Sequence, residues 1–112
     1  MRSLIECLVD ARDYARRAAG YVKGMMLPAF TADAIRRDAV CFCLSILGEA
    51  CSEATKQTNK LPADIPWVAI KGMRNVLIHE YWRIDDEIVY NAAQKDAELL
   101  ASRLDDLINE LA

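Results

Sequence analysis

Glycine and proline are scarce in this 112-residue chain, four and three respectively, and what is missing narrows the field before any motif is read. No glycine-rich loop able to cradle phosphates is present, and no Ser/His/Asp spacing suggests acyl transfer. No Cys-x-x-Cys or Cys/His ligand pattern occurs; Cys7, Cys41, Cys43 and Cys51 are embedded in apolar periodic segments, which reads as buried thiols serving as small core residues. The longest apolar runs, such as Val40 to Leu47 broken by Ser45, fall far short of a membrane span. Low-complexity tracts and internal repeats are absent, and with 54% hydrophobic and 28% charged residues the chain is a folding sequence, not a disordered tail. Met1-Arg2-Ser3-Leu4-Ile5-Glu6 meets an acid within six positions and develops no signal-peptide core, so the expectation is a cytoplasmic protein with no membrane partner.

At this length the expectation is one domain, residues 1–112. The net charge of -3 conceals an asymmetry: residues 1–84 hold 12 basic and 9 acidic side chains, residues 85–112 hold 2 and 8. A nucleic-acid ligand would therefore use the first three quarters of the chain and avoid the C-terminal segment.

Apolar positions recur at helical spacing almost throughout. Leu4, Leu8, Ala11, Ala15, Ala18 and Val22 predict an amphipathic helix from Arg2 to about Val22. Gly24 and Pro28 punctuate a connection, after which Thr31 or Asp33 caps a second helix running to about Thr58, with Ile35, Ala39, Phe42, Ile46 and Ala50 on its apolar stripe. Leu61-Pro62-Ala63-Asp64-Ile65-Pro66 ends it, and Pro66 suits the first turn of a third helix from Trp67 to Tyr81. Asp85 or Asp86 caps a last helix whose apolar face is Val89, Ala93, Ala97, Leu100, Leu104, Leu107, Ile108 and Leu111. With four to five helices and no convincing strand, the predicted fold is an all-α, antiparallel four- to five-helix bundle.

One segment concentrates chemistry. Residues 72–85, Gly-Met-Arg-Asn-Val-Leu-Ile-His-Glu-Tyr-Trp-Arg-Ile-Asp, contain the chain's one histidine beside an arginine, an amide, a tyrosine and a tryptophan. On a helix, Asn75 and His79 lie about 40° apart, Arg74 and Tyr81 about 20°, and Arg74 and His79 about 140°. The three polar residues thus occupy a broad arc, which a helix ending near His79 or a second subunit facing the arc would draw together.

Arg74, His79 and Tyr81 in the pattern Arg-x-x-x-x-His-x-Tyr, with Asn75 directly after the arginine, resemble the signature of the HEPN superfamily and, within it, the HepT-like toxin branch. Ile46-Leu47-Gly48-Glu49-Ala50, Ile65-Pro66-Trp67, Gly72-Met73 and Ile84-Asp85 are similar to that branch in order and spacing, so the resemblance covers most of the chain. It implies an all-α bundle that forms a homodimer or a higher homo-oligomer. It further implies a metal-independent endoribonuclease without a cofactor, the toxin of a type VII-like toxin–antitoxin pair. The implied partner is a small MntA-like nucleotidyltransferase that attaches AMP to Tyr81 and so blocks the RNA site.

The residues suit that chemistry. Metal-free RNA cleavage uses the ribose 2'-OH as nucleophile and needs a group that moves a proton and a cation that steadies the phosphate; His79 and Arg74 fit those roles. Asn75 either orients the imidazole or a phosphate oxygen, or makes a simple structural hydrogen bond. With one histidine per chain, separate acid and base imidazoles can come only from two subunits. Glu49 falls close to the expected apolar stripe, where a lone carboxylate is costly, so it should have a partner: a neighbouring cation, or Arg74 or His79 at the site. Apart from the resemblance, Tyr81 reads as an amphipathic side chain at a helix end. Trp67 reads as core, while Trp82 is open between core and base stacking. Met25-Met26-Leu27 beside Phe30 reads as a core or dimer contact, and Arg16-Arg17 and Arg36-Arg37 as solvated faces or phosphate contacts. The alternative function is a non-catalytic HEPN module that binds a nucleotide, RNA or partner protein; a purely structural helical dimer is the third reading.

Overall fold

A computed structural model describes residues 2–112 and confirms the all-α expectation: six α-helical segments, one 3-10 turn and one π turn, with no strand among the described residues. Helix α1 (Leu4–Val22) starts where Ser3 and Glu6 exchange hydrogen bonds, the Ser3 hydroxyl accepting from the Glu6 amide and the Glu6 carboxylate from the Ser3 amide, so that two otherwise orphaned donors are satisfied. It stops at Gly24, the one residue with positive φ (77°) among those described. Leu8, Ala11, Ala15, Ala18 and Val22 are buried as predicted, Leu4 is half-buried, and Cys7 joins the core. The alanines keep this face thin, which lets two other helices pack closely against it.

The stretch read as a connection holds a short helix α2 (Leu27–Ala32), with Pro28 in its first turn, where the missing N–H costs nothing. It drives Phe30 into the core against the ring of Tyr90, centroids 5.7 Å apart, while the Tyr90 hydroxyl donates to the Met25 carbonyl. The Asp33 carboxylate then caps α3 (Ala34–Gln57), accepting from the Arg36 amide at 3.0 Å.

The predicted stripe of α3 is corrected. Ile35 is 85% and Phe42 54% exposed, Ala39 and Ile46 are half-buried, and of the five only Ala50 is buried. The core face is Val40, Cys43, Leu44, Leu47, Cys51 and Ala54, roughly 110° away around the wheel. The helix is apolar on two sides, and α1 and α4 cover only one of them.

Helix α4 (Trp67–His79) follows the proline break, with Pro66 as its N-cap and the Trp67 indole N–H donating to the Pro62 carbonyl at 2.9 Å. Trp67 is half-buried against the core, as expected. The helix ends two residues sooner than predicted, and Tyr81–Arg83 forms a separate 3-10 turn. It packs against α3 and buries one side chain, Leu77, fully.

The Asp85 carboxylate caps α5 (Asp86–Asn91), accepting from the amides of Glu87 at 2.9 Å and Ile88 at 3.3 Å. Alpha-region backbone at both junctions joins α5 through a π turn (Ala92–Asp96) to α6 (Ala97–Leu111), making one continuous rod. The π turn has a physical cause. Val89, Ala93, Ala97 and Ala101 are buried at spacings of four, which drift around an ordinary 3.6-residue helix; a wider turn cancels the drift. In consequence Ala101 replaces Leu100, half-buried, in the core stripe, and Leu111 is exposed.

The core lies between α1, α3 and the α5–α6 rod, with α4 packed along α3 and adding Leu77 to it. The charge asymmetry is partly offset by pairs between the two segments, Arg12 meeting Asp105 at 2.7 Å and Arg37 meeting Asp86, while Arg103 meets Asp64 at 2.7 Å in the opposite sense. No helix among the described residues is long and apolar enough to cross a membrane.

Candidate active site

The α3–α4 contact is tightest at Gly48. A Cβ at that position would stand 2.3 Å from the Cβ and 2.8 Å from the Cγ of Arg74, and 3.2 Å from the Ile70 carbonyl oxygen. Only a glycine lets the arginine stem rest directly on the α3 backbone. Sequence reading took Gly48 as part of a run; an interior helical glycine is the available signal, since it costs stability unless something approaches closely.

The Arg74 side chain, 15% exposed, ends beside Glu49, with Nη1 3.4 Å from the carboxylate. Its Nε–H is enclosed and meets no acceptor among the described residues. An enclosed donor without an acceptor forgoes about 1–3 kcal/mol. Glu49 itself is exposed, which corrects the expectation that it lies near a buried stripe; the true core face of α3 is elsewhere. Of the two partners foreseen for it, the structure supplies Arg74.

His79 closes α4 and is exposed, and Asn75 is half-buried. Neither side chain has a hydrogen-bond partner among the described residues, so the structure joins Arg74 to Glu49 but does not join either of them to His79. Tyr81 and Trp82, each 69% exposed, stand edge to face on the 3-10 turn with centroids 5.6 Å apart and planes at 80°. Arg83 pairs with Glu80 at 2.6 Å.

The other arginines weighed from the sequence are engaged within the fold. Arg16 lies 3.9 Å from Asp105, Arg17 sits 4.6 Å over the Tyr14 ring, Arg36 donates to the Tyr21 carbonyl at 2.8 Å, and Arg37 holds Asp86. All four cysteines are free; three are buried and Cys41 is half-buried. Burial pushes the Cys51 thiol up to about 12, with the Cys7 sulfur adding to it. Phe30 completes the core as expected, whereas Met26 is exposed. Among the described residues no three His, Cys, Asp or Glu side chains lie close enough to share a metal ion.

An apolar groove of about 470 Å³ lies elsewhere, between α3, α4 and the α5–α6 rod, lined by Leu47, Ile70, Met73 and Leu100. It includes neither Arg74 nor His79. Phosphoryl chemistry needs groups that carry charge and protons, and Arg74 and His79, not this apolar lining, supply them.

An all-α bundle carrying a recessed arginine and an exposed histidine on one short helix, with an aromatic turn beyond them, defines the class. The comparisons with known proteins supply the family: residues 11–107 match the profile described as "Ribonuclease HepT-like", and the chain belongs to that family. It is similar to "Putative RNase TTE0752" of Caldanaerobacter subterraneus subsp. tengcongensis, 29% identical over 80% of both chains. It is also similar to "Putative RNase MJ1216" of Methanocaldococcus jannaschii, 26% identical over 98% of this chain and 91% of that one. "Probable ribonuclease HepT" of Thermococcus cleftensis is 26% identical over 95% of this chain and 96% of its own. No solved structure matches the chain.

Proposed function

We propose that this protein is an endoribonuclease toxin of the HEPN type, with Arg74 and His79 as its catalytic residues. The observation that carries the reading is Arg74: its stem is fixed on Gly48, its head is set by Glu49, and its enclosed Nε–H has no acceptor. A guanidinium prepared in this way suits a phosphate that gains charge in the transition state, because its orientation costs nothing at the moment of reaction.

In the proposed reaction the 2'-oxygen attacks the adjacent phosphorus while the His79 imidazole takes its proton. The bond from phosphorus to the 5'-oxygen then breaks, and that oxygen receives a proton from an imidazolium. The products are a 2',3'-cyclic phosphate and a 5'-hydroxyl, and no metal ion is required. Glu49 acts as a positioning residue for Arg74, and Asn75 orients the imidazole or a phosphate oxygen. A second copy supplies the second imidazole. Two features support a homodimer: the exposed His79 is left unenclosed by one copy, and the aliphatic side chains of Ile35, Val68 and Ile78 stand in solvent.

Neutralisation is proposed to follow the family pattern. The exposed Tyr81 hydroxyl attacks the α-phosphorus of ATP on a nucleotidyltransferase antitoxin, pyrophosphate leaves, and the phenolic proton passes to solvent or a base on that enzyme. The attached AMP places bulk and negative charge two residues from His79, where the phosphate of RNA is to sit.

The test is incubation of wild-type and His79→Ala protein with total cellular RNA and tRNA in EDTA. Folding is checked by circular dichroism and absence of AMP by mass spectrometry. Cleavage by the wild type alone, with 2',3'-cyclic phosphate ends, is the expected result. RNA binding without cleavage by unmodified wild type would instead identify a non-catalytic binding module.

A further inference from the structure

We propose that Trp82, with the Tyr81 ring nearly perpendicular beside it, is a stacking platform for an unpaired base of the RNA strand next to the scissile phosphate; this rests on the ribonuclease reading. The substrate class it selects is single-stranded RNA, since a base inside a duplex has no free face to offer.

Four observations converge on this turn. The two rings are each 69% exposed and stand nearly perpendicular, at 80°, so Tyr81 does not lie flat on the indole. Stacking needs exposed ring surface, and an indole 69% exposed offers it.

Next, the turn is pinned. The Glu80 amide donates to the Val76 carbonyl at 3.0 Å, Arg83 to Glu80 at 2.8 Å and Ile84 to Tyr81 at 3.2 Å, while the Ile84 side chain packs on the core. The rings therefore stand in water on an ordered base, so little conformational freedom is lost when a ligand arrives.

Third, the turn is close to the chemistry: Trp82 follows His79 by three residues, and the same helix and turn carry Lys71 and Arg74 besides the Arg83–Glu80 pair. Fourth, the chain's other tryptophan shows what a structural indole looks like here: Trp67 is half-buried and its N–H donates to the Pro62 carbonyl, whereas neither the Trp82 N–H nor the Tyr81 hydroxyl has a partner among the described residues. Exposed aliphatic side chains such as Ile35, Val68 and Ile78 suit another protein chain, whereas an exposed indole among polar neighbours suits a base.

The experiment titrates intact protein with a ten-nucleotide 2'-O-methyl oligouridylate, uncleavable because its nucleophile is blocked, and with an abasic ribose-phosphate strand of equal length. Trp67→Phe protein, in which Trp82 is the sole indole, should show fluorescence quenching by the oligouridylate but not by the abasic strand. Trp82→Ala should weaken oligouridylate binding by about 5- to 150-fold while binding the abasic strand as the wild type does, and Trp82→Phe should retain most of the affinity. In cleavage assays the loss should fall on KM. If wild type cleaves RNA while Trp82→Ala binds the oligouridylate equally well, the platform is refuted and the ribonuclease stands. If wild type neither binds nor cleaves RNA, the underlying reading fails and takes the platform with it. If Trp82→Ala dissociates an oligomer in sedimentation with unchanged RNA affinity per copy, the ring is a subunit contact and the proposal is overturned.

Discussion

Replacing Gly48 with alanine tests the link between packing and the candidate site, because two effects of opposite sign can be weighed beforehand. Alanine in a helix interior is favoured over glycine by about 1 kcal/mol. Against this, the new methyl would stand 2.3 Å from the Arg74 Cβ, where carbon atoms settle at about 3.5–4.0 Å. The obstruction is the root of the side chain, so no rotamer change relieves it, and α3 and α4 must part by more than about 1 Å. Overpacking of this kind costs about 1–3 kcal/mol, so the net expectation is a loss of about 0–2 kcal/mol, up to roughly 10 °C in Tm. Gly72→Ala is the control on α4 itself: nothing lies within 4 Å of a Cβ there, so the propensity gain should appear alone as a small stabilisation. Thermal and urea melts read both variants, and RNA cleavage by folded Gly48→Ala should fall because Arg74 moves with α4. A Gly48→Ala protein as stable as Gly72→Ala, with unchanged cleavage, would refute the argument.

Burial raises the thiols of all four cysteines, and Cys51 to about 12, so that at pH 8 its thiolate is about one part in ten thousand. A disulfide reagent at that pH should label native protein at half-buried Cys41 first and leave Cys51 untouched until denaturant is added, with rapid native labelling of Cys51 in peptide maps counting against the packing. Acid should weaken the fold through Asp64, lowered by hydrogen bonds from Arg103, and Glu6, lowered by the Ser3 amide and hydroxyl. Both carboxyls are depressed in the folded state, so their stabilisation is complete near neutrality and fades as pH falls below about 4. Carbon-detected NMR should place both midpoints below their ordinary values, and midpoints at or above those values would contradict the pairing.

How much of the fold can be read in advance depends on how one-sided each helix is. In α1 the apolar residues fall on one face and arginines on the others, so Leu8, Ala11, Ala15, Ala18 and Val22 identify the buried side without ambiguity. In α3 apolar residues occupy two faces, and periodicity alone selects Ile35 and Phe42 over Val40 and Leu47; the choice is made by which side α1 and α4 cover. Six residues around Pro28 are too few to declare a helix without Phe30 anchored in the core. The π turn is visible only as a run of fours, 89, 93, 97 and 101, that an ordinary helix cannot keep on one side.

The candidate site divides in the same way. Arg74, His79 and Tyr81 are legible as residue types in a pattern, and Glu49 as an acid that needs a cation. The support of Arg74 by Gly48 joins positions 26 residues apart in sequence, and nothing short of the packed structure reveals it. The two proposed catalytic groups also differ in what holds them. Arg74 is fixed by α3 within a single copy, while His79, exposed at the last turn of α4, is held by no side chain of its own chain among the described residues. Positioned groups draw their advantage from orientation settled beforehand, at best about 7–11 kcal/mol of the barrier, and an untethered imidazole forfeits part of it. A ribonuclease built on this helix must therefore order His79 through substrate or a second copy. Changes beneath Arg74 then register in the melt and in turnover together, whereas changes around His79 register in turnover alone.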